Sequence, residues 1–119
     1  MRGFLAHLLL AGAAVAGYAA DTASLSGKWQ VHYSIADREN EYTCTFTQKD
    51  ADLSGTCAMP DGAIPIAGKV DGQNVTWSYT AQYGKITFKG TLDPAMKIAG
   101  MMRAEDYGID GQFTATQAK

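Results

Sequence analysis

The chain has 119 residues, with ten Lys and Arg against twelve Asp and Glu, a formal net charge of −2, and two cysteines. That length supports one domain with a modest core once any leader is set aside. No basic stripe is present to neutralise phosphates, so nucleic acid is not an expected partner, and two cysteines without nearby histidines leave a zinc or redox centre short of ligands.

The chain opens on Met1-Arg2-Gly3, continues through apolar residues from Phe4 to Val15, and reaches small residues at Gly17-Tyr18-Ala19-Ala20. A positive start, a short apolar core and small residues before the cut form the pattern of a secretory signal. Cleavage is expected after Ala19, with Ala20 the neighbouring option. The apolar run is shorter than the roughly 20 residues of a membrane span and is interrupted by His7. No cysteine follows the cut to carry a lipid anchor. Residues 1–19 therefore read as a signal peptide and 20–119 as one exported domain, periplasmic or secreted, with no membrane insertion after processing. Loss of Arg2 makes the remainder one charge more acidic, which disfavours an anionic membrane surface as a partner.

From Gly27 onward the apolar residues fall at every second position, the period of a strand with one buried face, and helix is not expected. Trp29, Val31, Tyr33 and Ile35 share one face while Lys28, Gln30, His32 and Ser34 share the other. Inward Tyr42, Cys44 and Phe46 then alternate with Thr43, Thr45 and Thr47. Leu53, Gly55 and Cys57 follow, then Ile64, Ile66, Gly68 and Val70, then Val75, Trp77 and Tyr79. The remaining inward sets are Ile86, Phe88, Gly90 and Leu92; Ile98, Gly100 and Met102; and Ile109, Gly111, Phe113 and Ala115, which makes eight strands. Turn chemistry separates most of them, at Asp50-Ala51, Pro60-Asp61-Gly62, Asp71-Gly72, Tyr83-Gly84, Asp93-Pro94 and Asp106-Tyr107-Gly108. Short turns make sequence neighbours into spatial neighbours, so the expected architecture is all-β: an antiparallel up-and-down eight-stranded meander closed into a barrel, with a flattened two-sheet sandwich as the alternative.

The cysteines provide a check on register. A turn centred between Asp50 and Ala51 sets Cys44 directly across from Cys57, in a non-hydrogen-bonded pair where side chains approach most closely. A disulfide between them fits an oxidising compartment. A second regularity is an apolar residue, any residue, then Gly, as in Leu53-Ser54-Gly55, Ile66-Ala67-Gly68, Phe88-Lys89-Gly90 and Ile98-Ala99-Gly100. Glycine weakens a strand unless it serves a tight bend or makes room for a bulky neighbour. Counting across the turns puts Trp77, Phe88, Gly100 and Gly111 at one level of the barrel, large beside small.

Leu25-Ser26-Gly27-Lys28-Trp29 resembles the opening of avidin-like and lipocalin-like barrels, in which a Gly-x-Trp begins an eight-stranded meander. Leu53-Ser54-Gly55-Thr56, Val75-Thr76-Trp77 and Phe88-Lys89-Gly90 are similar to later avidin strands. The resemblance implies a closed barrel with a pocket at one end. It does not imply a biotin site, because Gln30, Val31, His32 and Tyr33 do not reproduce the polar run that avidins place after the tryptophan. The chain also resembles the small periplasmic metalloprotease inhibitors, which combine a signal peptide, a similar length, an eight-stranded barrel and one disulfide. That likeness implies a protein partner.

No catalytic constellation stands out. His32, Ser34 and Asp37 are close in sequence, but alternation points them outward, without the pocket a general base requires. Asp37, Glu39 and Glu41 around Arg38 are expected in the longest connection, a charged loop at the barrel mouth; they lack the spacing of a calcium loop, as do Glu105, Asp106 and Asp110. Met59, Met96, Met101 and Met102 do not converge on a soft-metal site, because Met102 joins the interior stripe while Met96 and Met101 leave it. No cofactor or metal is expected.

The expected function is therefore non-catalytic binding of an apolar or aromatic small molecule in the barrel interior, lined by Trp29, Tyr33, Trp77, Tyr79 and Phe88. The alternative is a protein-interaction or protease-inhibitor module that uses loops and outer surface against an extracytoplasmic protein.

Overall fold

The structure is a computed structural model that describes residues 24–82 and 84–118. The expected signal peptide, and Tyr83 of the Tyr83-Gly84 turn, lie outside the described residues. Eight strands follow in order: β1 (Gly27–Ile35), β2 (Arg38–Lys49), β3 (Asp52–Met59), β4 (Gly62–Asp71), β5 (Asn74–Ala81), β6 (Gly84–Leu92), β7 (Lys97–Ala104) and β8 (Ile109–Gln117). Each pairs antiparallel with the next, and β8 returns to pair with β1, so the meander closes into a barrel and the sandwich alternative is not adopted. Closure leaves no unpaired strand edge to template aggregation.

The alternation places the core where the apolar stripe requires it. Trp29, Val31, Cys44, Cys57, Val75, Trp77, Phe88, Ile98 and Ala115 are fully buried. The turn at residues 50–51 sets Cys44 across from Cys57, and the disulfide joins them with Cα atoms 3.9 Å apart. Closing that short loop contributes about 3 kcal/mol on the chain-entropy account. Such a bond is more typical of extracytoplasmic proteins than of reducing compartments.

Two features depart from the sequence-based expectation. The connection between β1 and β2 is not the longest but one of the tightest, a two-residue turn at Ala36 and Asp37, both with positive φ (51° and 63°). Such a turn matches the right-handed twist of its flanking strands. β2 accordingly starts at Arg38, and Glu39 and Glu41 lie within a strand, opposite Ser34 and His32.

The second departure concerns the ring around Trp77. Trp77 pairs with Phe88, Phe88 with Met102 and Met102 with Gly111, so Met102 takes the level expected for Gly100. The cause is a four-residue turn between Leu92 and Lys97, in which the Asp93 Oδ1 accepts hydrogen bonds from the backbone N–H groups of Ala95 and Lys97, both at 2.9 Å, and Met96 has φ 62°. Asp93-Pro94 signals that turn but not its length.

The two ends of the barrel differ. At the end where β1 begins, Leu25 is fully buried, its carbonyl accepts a hydrogen bond from the Trp29 indole Nε1 at 2.8 Å, and its N–H donates to Gln48 Oε1 at 2.9 Å. Leu25, two residues ahead of β1, is thereby tied to the barrel and covers that end. Above it the interior is filled by Trp29, Phe46, Trp77, Phe88 and Phe113. The opposite end, framed by the turns at 36–37, 60–61 and 105–108 and by the ends of β5 and β6 at Ala81 and Gly84, is where the interior opens.

Candidate functional site

At the open end the inward faces of β1, β2, β5, β6 and β7 converge around a cleft of about 330 Å³. Met102 and Tyr79, both nearly inaccessible, form its floor with half-buried Tyr33. Ile35, Ile86 and Ala104 form the walls. Ala36, Arg38, Asn40, Tyr107 and Ile109 form an exposed rim. The volume falls at the lower end of the range for small-molecule pockets, and the lining has the usual composition of an apolar body with a few polar tips.

The floor continues the aromatic packing of the core. Tyr33 meets Tyr42 and Phe88 edge to face, with centroids 5.8 and 6.2 Å apart, and Tyr79 lies against Phe88 at 5.8 Å. Such contacts fix ring orientation, so the floor is preformed. Tyr42 and Tyr79 place their hydroxyls 3.4 Å apart, a long separation for an O–H···O bond, in a buried setting. Burial raises the pKa of all three phenols above its ordinary value. For Tyr79 the value is pushed up to about 12, although its hydrogen bond with Tyr42 acts in the opposite direction. The phenols of Tyr33 and Tyr79, which line the floor, and of Tyr42 behind it therefore stay neutral throughout the physiological range.

The residues expected to line an interior site separate into two groups. Tyr33 and Tyr79 line the cleft. Trp29, Trp77 and Phe88 sit beneath it at zero exposure, and Trp77 and Phe88 stack with centroids 4.9 Å apart and planes 9° from parallel. The sequence-based list omitted the rim residues Arg38, Asn40 and Tyr107. Ile109, expected to face the interior, is 42% exposed because β8 begins at the mouth. Arg38 and Asn40 were legible in principle: a two-residue turn at 36–37 puts them opposite Ile35 and Tyr33, on the inward parity.

The other candidate groups do not meet. His32 Nε2 lies 3.0 Å from Glu39 Oε1 on the exposed outer face rather than against Ser34 or Asp37. Arg103 holds both Asp110, at 2.8 Å, and Glu105, at 3.5 Å, while Asp106 packs over Gly84. Met101 is half exposed on the outside, Met102 is buried inside, and Met59 and Met96 pack against the core from opposite ends; the expectation that Met96 leaves the interior is thus corrected by its turn. Among the described residues no three His, Cys, Asp or Glu side chains are grouped to hold a metal ion. Comparison with models of known protein families and with curated proteins finds no match for this chain.

Proposed function

We propose that the protein is an exported, non-catalytic binder of a small apolar or flat molecule, held at the open mouth of the barrel. The observation that carries this reading is the asymmetry of the ends: Leu25 covers one, and the other opens on a preformed cup with Tyr33 and Tyr79 at its floor. The resemblance of Leu25-Ser26-Gly27-Lys28-Trp29 to calycin-type barrels, which open at one end, and the disulfide, with its implication of a periplasmic or extracellular setting, support the same reading.

Ala104 supplies the test, because it is nearly buried in the cleft wall and its small side chain leaves the space open. N-phenyl-1-naphthylamine, an uncharged two-part aromatic probe, is expected to gain fluorescence on binding the wild-type protein. Ala104→Phe is expected to weaken that binding about tenfold or more, because a phenyl ring in the cleft displaces a large part of the apolar contact. Unaltered affinity in a folded Ala104→Phe protein contradicts the cleft as the site.

The second reading, a protein-interaction module, rests on the outer face of β6 and β7, where half-exposed Met101 lies in a shallow groove with Lys89 and Arg103. It is favoured if the probe does not bind the cleft.

A further inference from the structure

Among the described residues the cleft lining carries one formal charge, Arg38, and that side chain is in no ion pair with another of them. Arg38 reaches the rim from the first position of β2, next to the apolar wall of Ile35 and Ile86. The ion pairs of the described residues join His32 to Glu39, Lys69 to Asp52, and Arg103 to Glu105 and Asp110; none involves Arg38. Strand alternation explains why. Glu39 and Glu41 flank Arg38 and Asn40 in sequence but point to the outer face, where Glu39 engages His32. The other charged residues near this end, Asp37, Asp61, Lys85, Arg103, Glu105, Asp106 and Asp110, occupy turns or the outer face and do not line the cleft.

We propose that the occupant is an anionic amphiphile: a flat apolar body of one or two rings seated on Tyr33, Tyr79 and Met102, with a carboxylate or sulfonate directed at Arg38 and Asn40. This rests on the reading of the cleft as the binding site and specifies its ligand class. Arg38 and Asn40 are two residues apart on one strand face, close enough for a planar guanidinium and a side-chain amide to share one oxyanion. Tyrosine faces alone would equally suit a cation, but the guanidinium disfavours one. The cup volume of about 330 Å³ sets the size of the body. Partial desolvation of the guanidinium by that body makes the charge-assisted bond stronger than an exposed surface pair.

The test compares two probes that differ by a single sulfonate, N-phenyl-1-naphthylamine and 1-anilinonaphthalene-8-sulfonate, on wild type, Arg38→Gln and Arg38→Lys. Both substitutions are at the exposed rim, and an unchanged unfolding midpoint confirms that they fold. In Arg38→Gln the sulfonated probe is expected to bind about tenfold more weakly while the neutral probe changes less than about twofold, and Arg38→Lys retains most of the sulfonate preference. If Arg38→Gln weakens both probes equally, or neither, the anion inference is overturned although the cleft reading stands. If neither probe binds wild type, or Ala104→Phe affects neither, the cleft reading falls and the inference falls with it.

Discussion

Gly68→Ala is expected to destabilise the protein by about 3 kcal/mol or more, a large share of the roughly 5–15 kcal/mol available to a domain of this kind. A methyl group on Gly68 would run into the Thr76 carbonyl oxygen and lie 2.7 Å from Trp77 Cα and 2.8 Å from Trp77 Cβ. Most of these are backbone atoms of β5, held by the ladder in which Gly68 faces Trp77. They cannot rotate away as a side chain would, so β4 must separate from β5. The absent side chain is what allows the Trp77 ring to reach across the barrel from so close a neighbouring strand. Gly72→Ala is the control, because it has no atom within 4 Å of the added carbon and its cost is the φ of 64° alone, about 1 kcal/mol. Urea unfolding of the two variants distinguishes them; a Gly68→Ala protein as stable as Gly72→Ala would mean that the two strands do not approach this closely.

The second large effect is at Trp77 itself. Trp77→Ala is expected to cost about 3–5 kcal/mol, the range for emptying an aromatic site in a packed core. Trp77 is fully buried, stacks on Phe88 and meets Phe46 and Phe113 edge to face, with centroids 5.1 and 5.2 Å away. No rearrangement of a closed ladder readily fills the hole. Its indole Nε1, however, has no hydrogen-bond acceptor among the described residues. An unpaired buried donor costs about 1–3 kcal/mol, which offsets much of the packing lost when the larger ring is exchanged for a smaller one. Trp77→Phe is therefore expected within about 1 kcal/mol of wild type, far closer than other tryptophan truncations in cores. A loss as large as that of Trp77→Ala would show that the N–H has found a partner.

The architecture was legible because its signals were local and mutually consistent. Period-2 alternation named the inward residues, and the Asp50-Ala51 turn and the two cysteines independently gave one register, which the Cys44–Cys57 pairing matches. What was not legible traces to turns whose chemistry is atypical. Ala36-Asp37 forms a two-residue turn with positive φ at both positions, a conformation that Asn and Gly signal and Ala does not. Reading it as a long loop hid the parity of Arg38 and Asn40 and with it the polar rim of the cleft. The depth of the site was also beyond the pattern. Trp29, Tyr33, Trp77, Tyr79 and Phe88 share one face in alternation, but only barrel closure decides that Trp77 and Phe88 fill the centre while Tyr33 and Tyr79 border space.

Closure also accounts for why the mouth is the candidate site. An eight-stranded barrel has an interior just wide enough for its own side chains, and here aromatic rings occupy it at the level of Trp77. Towards the 105–108 turn the lining passes from those rings to Ile35, Ile86 and Ala104, with Tyr33 and Tyr79 bordering the cleft. The same packing that makes the centre solid gives the cleft a rigid floor, which reduces the ordering cost of binding.

The measurement that tests the central claim most directly is a map of backbone and methyl chemical-shift changes as N-phenyl-1-naphthylamine is added to the isotopically labelled, oxidised protein. The account predicts saturable changes concentrated at Tyr33, Ile35, Tyr79, Ile86, Met102 and Ala104, with the covered end around Leu25 and Gln48 unaffected. Changes confined to the outer groove at Lys89, Met101 and Arg103, or the absence of saturable changes, would contradict it.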